Sequence, residues 1–147
     1  MKLQLLLITL ILIAQTNSIK GQNLKSHRWN DRVLLVITDS ETNLLFQQQM
    51  QSLEVHRNAL DNRKLIVYQV TSKAFKTGFV ASDIWIKSSN LYSSFNSESL
   101  SFKVVLIGLD GRIKLEQNEC ISIEKLCNTI DRMPMRRAEL SRSKKAN

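Results

Sequence analysis

The chain has 147 residues, 43% hydrophobic and 23% charged, with a formal net charge of +8 at pH 7. That length holds one domain, and the composition is ordinary for a globular protein, which excludes a disordered or collagen-like polymer. With one proline and four glycines, the body calls for regular elements joined by short loops, and the positive excess suits an acidic protein, an anionic polysaccharide or a membrane surface as partner.

The N-terminus comes first in the chain and carries a targeting signal. Met1-Lys2 is a short basic start, Leu3 to Ala14 is an apolar run broken only by Gln4 and Thr9, and Thr16, Asn17 and Ser18 turn the chain polar. This is the order of regions in a secretory signal peptide. The run falls short of the roughly 20 apolar residues that span a bilayer, so a transmembrane protein is not expected. Cleavage is placed near residue 21, just before Gln22, leaving a secreted or periplasmic chain of about +6. Export disfavours nucleic acid as a partner, and no cysteine follows the run to carry a lipid anchor. The domain is expected over 22–140, with 141–147 as a mobile basic tail.

Arg32 to Thr38 is a continuous β-branched and apolar run, the pattern of a strand buried on both faces. Asp39-Ser40-Glu41-Thr42-Asn43 is rich in helix-capping residues, and a long helix is predicted from there to about Leu60. Its apolar stripe is Leu45, Phe46, Gln49, Met50, Leu53 and Leu60. Leu65 to Val70 reads as a second strand, completing a βαβ unit. The serine-rich stretch from Thr71 to Ser101 yields only a short helix within Ile84 to Phe95. Phe102 to Ile107 is a third strand, and Asp110-Gly111 is a hairpin signal leading to an edge strand over Arg112 to Leu115. A final helix is predicted from Ser122, a candidate N-cap, to Arg132, with Ile123, Leu126, Cys127 and Ile130 as its buried stripe and Pro134 as its stop.

Three segments carry a family resemblance. They are Asp31 to Val36, the hairpin Phe102 to Leu115, and the helix exit Ile130 to Leu140, which contains Met133-Pro134-Met135-Arg136-Arg137. Together they resemble the domain of unknown function 4174 family, which occurs in small exported bacterial proteins and in modules of sushi-repeat-containing extracellular-matrix proteins. The resemblance implies an α/β, thioredoxin-like fold without a demonstrated activity. The element order β-α-β-α-β-β-α has the same outline: a βαβ unit followed by a β-hairpin and a C-terminal helix.

The chemistry of that fold can be tested on residues. In thioredoxins a cysteine pair follows the first strand, where a helix N-terminus lowers a thiol pKa. Here Thr38-Asp39-Ser40-Glu41 stands in that place, and Ser99-Leu100-Ser101 stands where a cis-proline belongs. Asp39 and Ser40 are left as helix caps or as contacts for an anion at the helix start. Cys120 and Cys127 are the two cysteines. Their spacing is not that of a dithiol centre; on a single helix they would lie about 10 Å apart, too far to bridge. Buried free thiols are the main reading, and a displaced redox or peroxiredoxin-like site at Cys120 or Cys127 is the alternative.

No catalytic, cofactor-binding or metal-binding residues are assigned. His27 and His56 are the only histidines; with two cysteines at scattered spacing they match no zinc signature, and neither a nucleophile elbow nor a glycine-rich phosphate loop is present. The basic end, with Arg132, Arg136, Arg137, Arg142, Lys144 and Lys145, offers a surface for anionic glycans. Arg136 and Arg137 are also expected to have a structural role, binding carboxylates of the sheet edge. The leading expectation is a non-catalytic binding or structural module of the cell envelope or exterior.

Overall fold

The computed structural model describes residues 22–80 and 84–146; the expected signal peptide lies outside them. In chain order the elements are α1 (Gln22–Lys25), β1 (Arg32–Thr38), α2 (Leu44–Val55), α3 (Arg57–Asp61), β2 (Leu65–Val70), β3 (Ala74–Thr77), β4 (Ile86–Lys87), α4 (Asn90–Phe95), β5 (Phe102–Ile107), β6 (Ile113–Gln117), α5 (Ile123–Asp131) and α6 (Pro134–Ala146). The strands form one mixed sheet in the order β4-β3-β2-β1-β5-β6. Among the described residues, only the β1–β2 pair is parallel. This is the expected α/β, thioredoxin-like arrangement, with a longer element list than the simple outline.

β1 lies at the centre of the sheet because every one of its side chains can be buried. Successive side chains point to opposite faces. Leu34 and Val36 join Val67, Val104 and Leu106 in a core closed by Phe46, Leu53, Leu60, Leu126 and Ile130 of the helices. Val33, Leu35 and Ile37 join Tyr68, Val70, Val105 and Ile107 on the other face, covered by Leu24 of α1 and by Leu91, Tyr92 and Phe95 of α4. At the far edge β6 is mostly exposed, as its alternation predicts. The hairpin before it turns through Gly111 at a φ of +77°, which glycine adopts without strain.

Four expectations need correction. The long helix breaks at His56 (φ −105°, ψ 21°), whose ring Nδ1 lies 2.8 Å from the Ser52 carbonyl, so α2 and α3 are separate. Leu45 is exposed rather than part of the buried stripe. The segment after β2 contributes β3 and β4, two short antiparallel strands where no strand was read. Finally, Pro134 does not end the helical region. α5 closes at Asp131 with Arg132 as C-cap, and Pro134 opens α6, which runs through the expected tail to Ala146. Proline is suited to the first helical position because its missing N–H has no partner to lose there. Ser122 caps α5 as predicted, its side chain accepting from the Lys125 N–H.

Gln49 is a polar residue in the apolar stripe, and its burial has a reason. It is 1% exposed; its Nε2 donates to the Ile121 carbonyl at 3.2 Å and its Oε1 accepts from the Ile121 N–H at 2.7 Å. It thereby pairs both backbone groups of the residue just before α5. Gln49→Leu should therefore destabilise the protein by roughly 2–4 kcal/mol in urea unfolding, since two buried backbone groups lose their partners. A Gln49 that merely filled the stripe would give a neutral or more stable variant.

Candidate functional site

The C-terminal end of β1 is where a thioredoxin-like fold would carry its thiols. Thr38 is fully buried there. Its hydroxyl lies 2.8 Å from the Ser40 carbonyl and 3.3 Å from the Ser101 carbonyl, and it accepts from the Ser40 N–H. The Ser101 carbonyl also takes the Asp39 N–H at 3.1 Å and the Asn43 Nδ2 at 3.2 Å. The turn before β5 is therefore tied directly onto the loop before α2. On the β5 side the turn is held by buried Asn96, whose side chain pairs both the N–H and the carbonyl of Leu100. Ser99 sits at a φ of +53°, and no cis peptide occurs among the described residues.

Asp39 and Ser40 are not the cap of α2. Asn43 is, with its Oδ1 accepting from the N–H groups of Leu45 and Phe46. Asp39 and Ser40 lie exposed in the preceding turn. The donors expected to be open to an anion at this helix start are thus engaged by the chain itself.

Neither cysteine makes up for the missing thiols. Cys120 lies in the loop after β6 and Cys127 on α5, both free, the first exposed and the second half-buried. The thiols are free as expected, but the reading of one or two buried thiols is corrected, since neither is fully buried. The Cys120 Sγ donates to the Leu45 carbonyl at 3.3 Å. Desolvation pushes its thiol above the ordinary value. Desolvation raises Cys127 too, and Asp131 adds to it, outweighing Arg63 and Arg136. A nucleophilic cysteine needs the opposite shift.

A larger polar constellation stands at the other end of β1. Arg32 is 0% exposed. Its Nη1 donates to the Arg63 carbonyl at 2.7 Å and its Nη2 to Glu139 Oε1 at 3.2 Å. Glu139 Oε2 accepts from Arg136 Nη1 at 3.2 Å. Arg136, itself buried, continues to Asp131 Oδ1 at 3.3 Å and to Asn62 through its carbonyl and side-chain oxygens. Asp131 closes the chain with a two-pronged bond to Arg63, at 3.1 and 2.6 Å. Three arginines and two carboxylates thus join β1, the α3–β2 connection, α5 and α6.

For the carboxylates, burial works to raise both pKa values. The hydrogen bonds and charges of Arg63 and Arg136 outweigh it at Asp131, and those of Arg32 and Arg136 at Glu139, so both stay below the ordinary range. Of the motif Met133-Pro134-Met135-Arg136-Arg137, Arg136 binds the carboxylates of Asp131 on α5 and Glu139 on α6, not carboxylates of the sheet edge. Arg137 is exposed. Met133, Pro134 and Met135 instead form one wall of a small, mainly apolar cleft of about 140 Å³, with Leu109, Asp110 and Lys114 of the hairpin opposite and Arg32 also lining it.

A second polar chain was not foreseen. His27 Nδ1 lies 2.9 Å from Asp31 Oδ2, and its Nε2 lies 2.8 Å from the Tyr68 hydroxyl. Desolvation, with the nearby Asp31 charge, pushes the Tyr68 phenol up. A carboxylate can only accept, so the Nδ1–H donates to Asp31. Tyr68 is buried, so this chain ties the segment after α1 to β2 and offers no accessible nucleophile. Sequence reading missed it because His27, Asp31 and Tyr68 follow no spacing rule across 41 residues. Among the described residues, no group of three or more His, Cys, Asp and Glu side chains is arranged to hold a metal. No helix of those residues is long and apolar enough to cross a membrane.

The family model described as Domain of unknown function (DUF4174) matches residues 23–139. No curated protein sequence matches the chain. Among solved structures, similar folds include the reduced 2-Cys peroxiredoxin of Plasmodium vivax, with a TM-score of 0.56 and 13% identity over 74% of this chain and 68% of that one. The thioredoxin peroxidase I of Plasmodium yoelii matches at a TM-score of 0.53 and 14% identity, over 74% of this chain and 75% of that one. The mitochondrial 2-Cys peroxiredoxin of Plasmodium falciparum matches at 0.51 and 12%, over 74% and 78%. At these identities the likeness shows the fold alone.

The arginine network makes a prediction with a definite pH sign. Glu139→Ala leaves Arg32 buried without its carboxylate and should cost roughly 3 kcal/mol in urea unfolding at pH 7. Glu139 and Asp131 have lowered folded pKa values, so their contribution is present above the unfolded value of about 4 and is lost as pH falls through the folded one. The gap between wild type and variant should therefore shrink below about pH 4. A gap unchanged from pH 7 to pH 3 would contradict an electrostatic role.

Proposed function

The chain belongs to the DUF4174 family, and from that premise we propose that it is a non-catalytic binding or structural module, exported to the cell envelope or exterior. One observation carries the non-catalytic part. At the end of β1 the place of the redox thiol is filled by Thr38 and sealed through the Ser101 carbonyl. A peroxidatic or dithiol mechanism needs a low-pKa sulfur with room for substrate. The joint leaves no sulfur there. Export is supported by the signal-like order of residues 1–18.

The alternative is a redox enzyme working through Cys120 or Cys127. It is disfavoured because desolvation raises both thiols, which lowers the thiolate fraction at neutral pH. Iodoacetamide labelling of the native protein at pH 7 followed by intact mass should show Cys120 reacting no faster than a free cysteine and Cys127 more slowly. The Cys120→Ser/Cys127→Ser double variant should match wild type in a peroxide-consumption assay, both at background. Rapid native labelling together with thiol-dependent peroxide loss would overturn the proposal. The mass of the secreted chain tests export and the cut before Gln22 at the same time.

A second reading, binding of an anionic polysaccharide, is favoured by the surface of α6. Arg136 is withdrawn into the network, but Arg132, Arg137, Arg142, Lys144 and Lys145 are all exposed along and beside that helix. On a heparin column the protein should elute at a salt concentration that falls markedly when Arg142, Lys144 and Lys145 are changed to Gln, since screened surface charges carry such binding. Elution unchanged by those substitutions would remove α6 as the contact.

A further inference from the structure

The hairpin of β3 and β4 has an outer surface that neither core covers. β4 is the last strand on its side of the sheet and is paired to β3 along one edge only. In and beside it, Val80, Ile84 and Ile86 stand exposed at 47%, 84% and 53%. A side chain as open as that of Ile84 touches almost nothing of its own chain. Isolated exposed aliphatics are ordinary on a surface, but a group of them on one hairpin marks contact with something else.

The same hairpin is basic. Residues 73–87 hold Lys73, Lys76 and Lys87 against one acid, Asp83. Among the described residues, none of the three lysines is paired with a carboxylate. The Lys76 ammonium lies 5.1 Å from the centre of the Trp85 ring, and the attraction of a cation to the π-face keeps charge and indole together. In the ladder Ile86 stands opposite Phe75 and Lys87 opposite Ala74. Apolar and basic side chains therefore alternate between the two faces and meet along the open edge.

We propose that the β3–β4 hairpin docks the protein onto an anionic lipid bilayer, lying on its surface. Lysines that no carboxylate of the chain neutralises are complementary to acidic headgroups. Tryptophan favours the boundary between headgroups and hydrocarbon, which is where Trp85 would lie. Ile84 and Ile86 project outward and call for a medium that deforms around them, as acyl chains do. A partner strand suits the edge less well, because β4 has only two residues and so short an edge gives a poor ladder. A second copy of the chain would set lysines against lysines. The inference gives a target to the binding role at the cell envelope proposed above and rests on that reading.

The test is sedimentation of the secreted chain with vesicles of phosphatidylcholine and phosphatidylglycerol, compared with vesicles of phosphatidylcholine alone. Binding to the anionic vesicles should be tighter by about tenfold or more and should weaken as salt is added. Ile84→Ser combined with Ile86→Thr should reduce that binding roughly tenfold. Lys73→Gln combined with Lys87→Gln should reduce it by about tenfold or more. All four side chains are exposed, so both double variants should keep the wild-type melting temperature. Trp29→Phe leaves Trp85 as the one tryptophan, and its emission should shift to the blue when the anionic vesicles are added.

The absence of sedimentation, or equal sedimentation with the two kinds of vesicle, would overturn the inference. So would binding that survives both hairpin variants but is lost when Arg142, Lys144 and Lys145 are changed to Gln, since the contact would then be α6. Self-association of the free protein that the isoleucine variant abolishes would make the patch an interface between copies, and would overturn it equally. The thiol and peroxide measurements test the non-catalytic reading independently. Inert thiols without vesicle binding would therefore remove the docking surface and leave that reading standing, whereas active thiols would remove the reading itself.

Discussion

A guanidinium without solvent contact at the start of the central strand governs much of how the chain is assembled. Arg32 is the first residue of β1 and is fully buried. Its charge must be met by oxygens from elsewhere, because a buried charge left unpaired is strongly destabilising. The Arg63 carbonyl meets it from the α3–β2 connection and Glu139 meets it from α6. Glu139 then shares Arg136, which in turn reaches Asp131 and Asn62. Through this single demand the C-terminal helix, the helix before it and the connection into β2 are fastened to the strand on which both cores are built.

The two ends of β1 differ accordingly. At its C-terminal end a short polar side chain, Thr38, is tied to the turn before β5 through the Ser101 carbonyl. In the fold to which this one is similar, that is the end where thiols would sit, and here it has become a structural joint. At the N-terminal end the hydrogen bonding is left one partner short at Arg32 Nε, next to a cleft with an apolar lining.

The C-terminal motif illustrates how local and tertiary information differ. Pro134 reads as a stop because proline cannot continue a helix from within, and α5 does end before it. The same residue also suits the first position of a new helix, and Glu139 and Arg136 fasten that helix to Arg32 and Asp131. The polar Gln49 in an otherwise apolar stripe is a similar case. Its spacing places it on the apolar face, but the partners that allow its polar group to be buried there are the backbone groups of Ile121, 72 positions later.

What the sequence by itself determined is whatever depends on neighbours along the chain. The unbroken apolar run of β1, the Asp110-Gly111 turn with its edge strand, the Ser122 cap and the absence of sulfur after β1 all follow from short windows, because periodicity, turn conformation and capping are local effects. The tertiary structure alone decided which charges meet. Arg32, Arg63, Asp131, Arg136 and Glu139 span more than 100 positions, and their pairing carries no spacing signature. It arises because burying β1 on both faces takes one guanidinium out of water, and desolvation makes its partners a requirement of the fold.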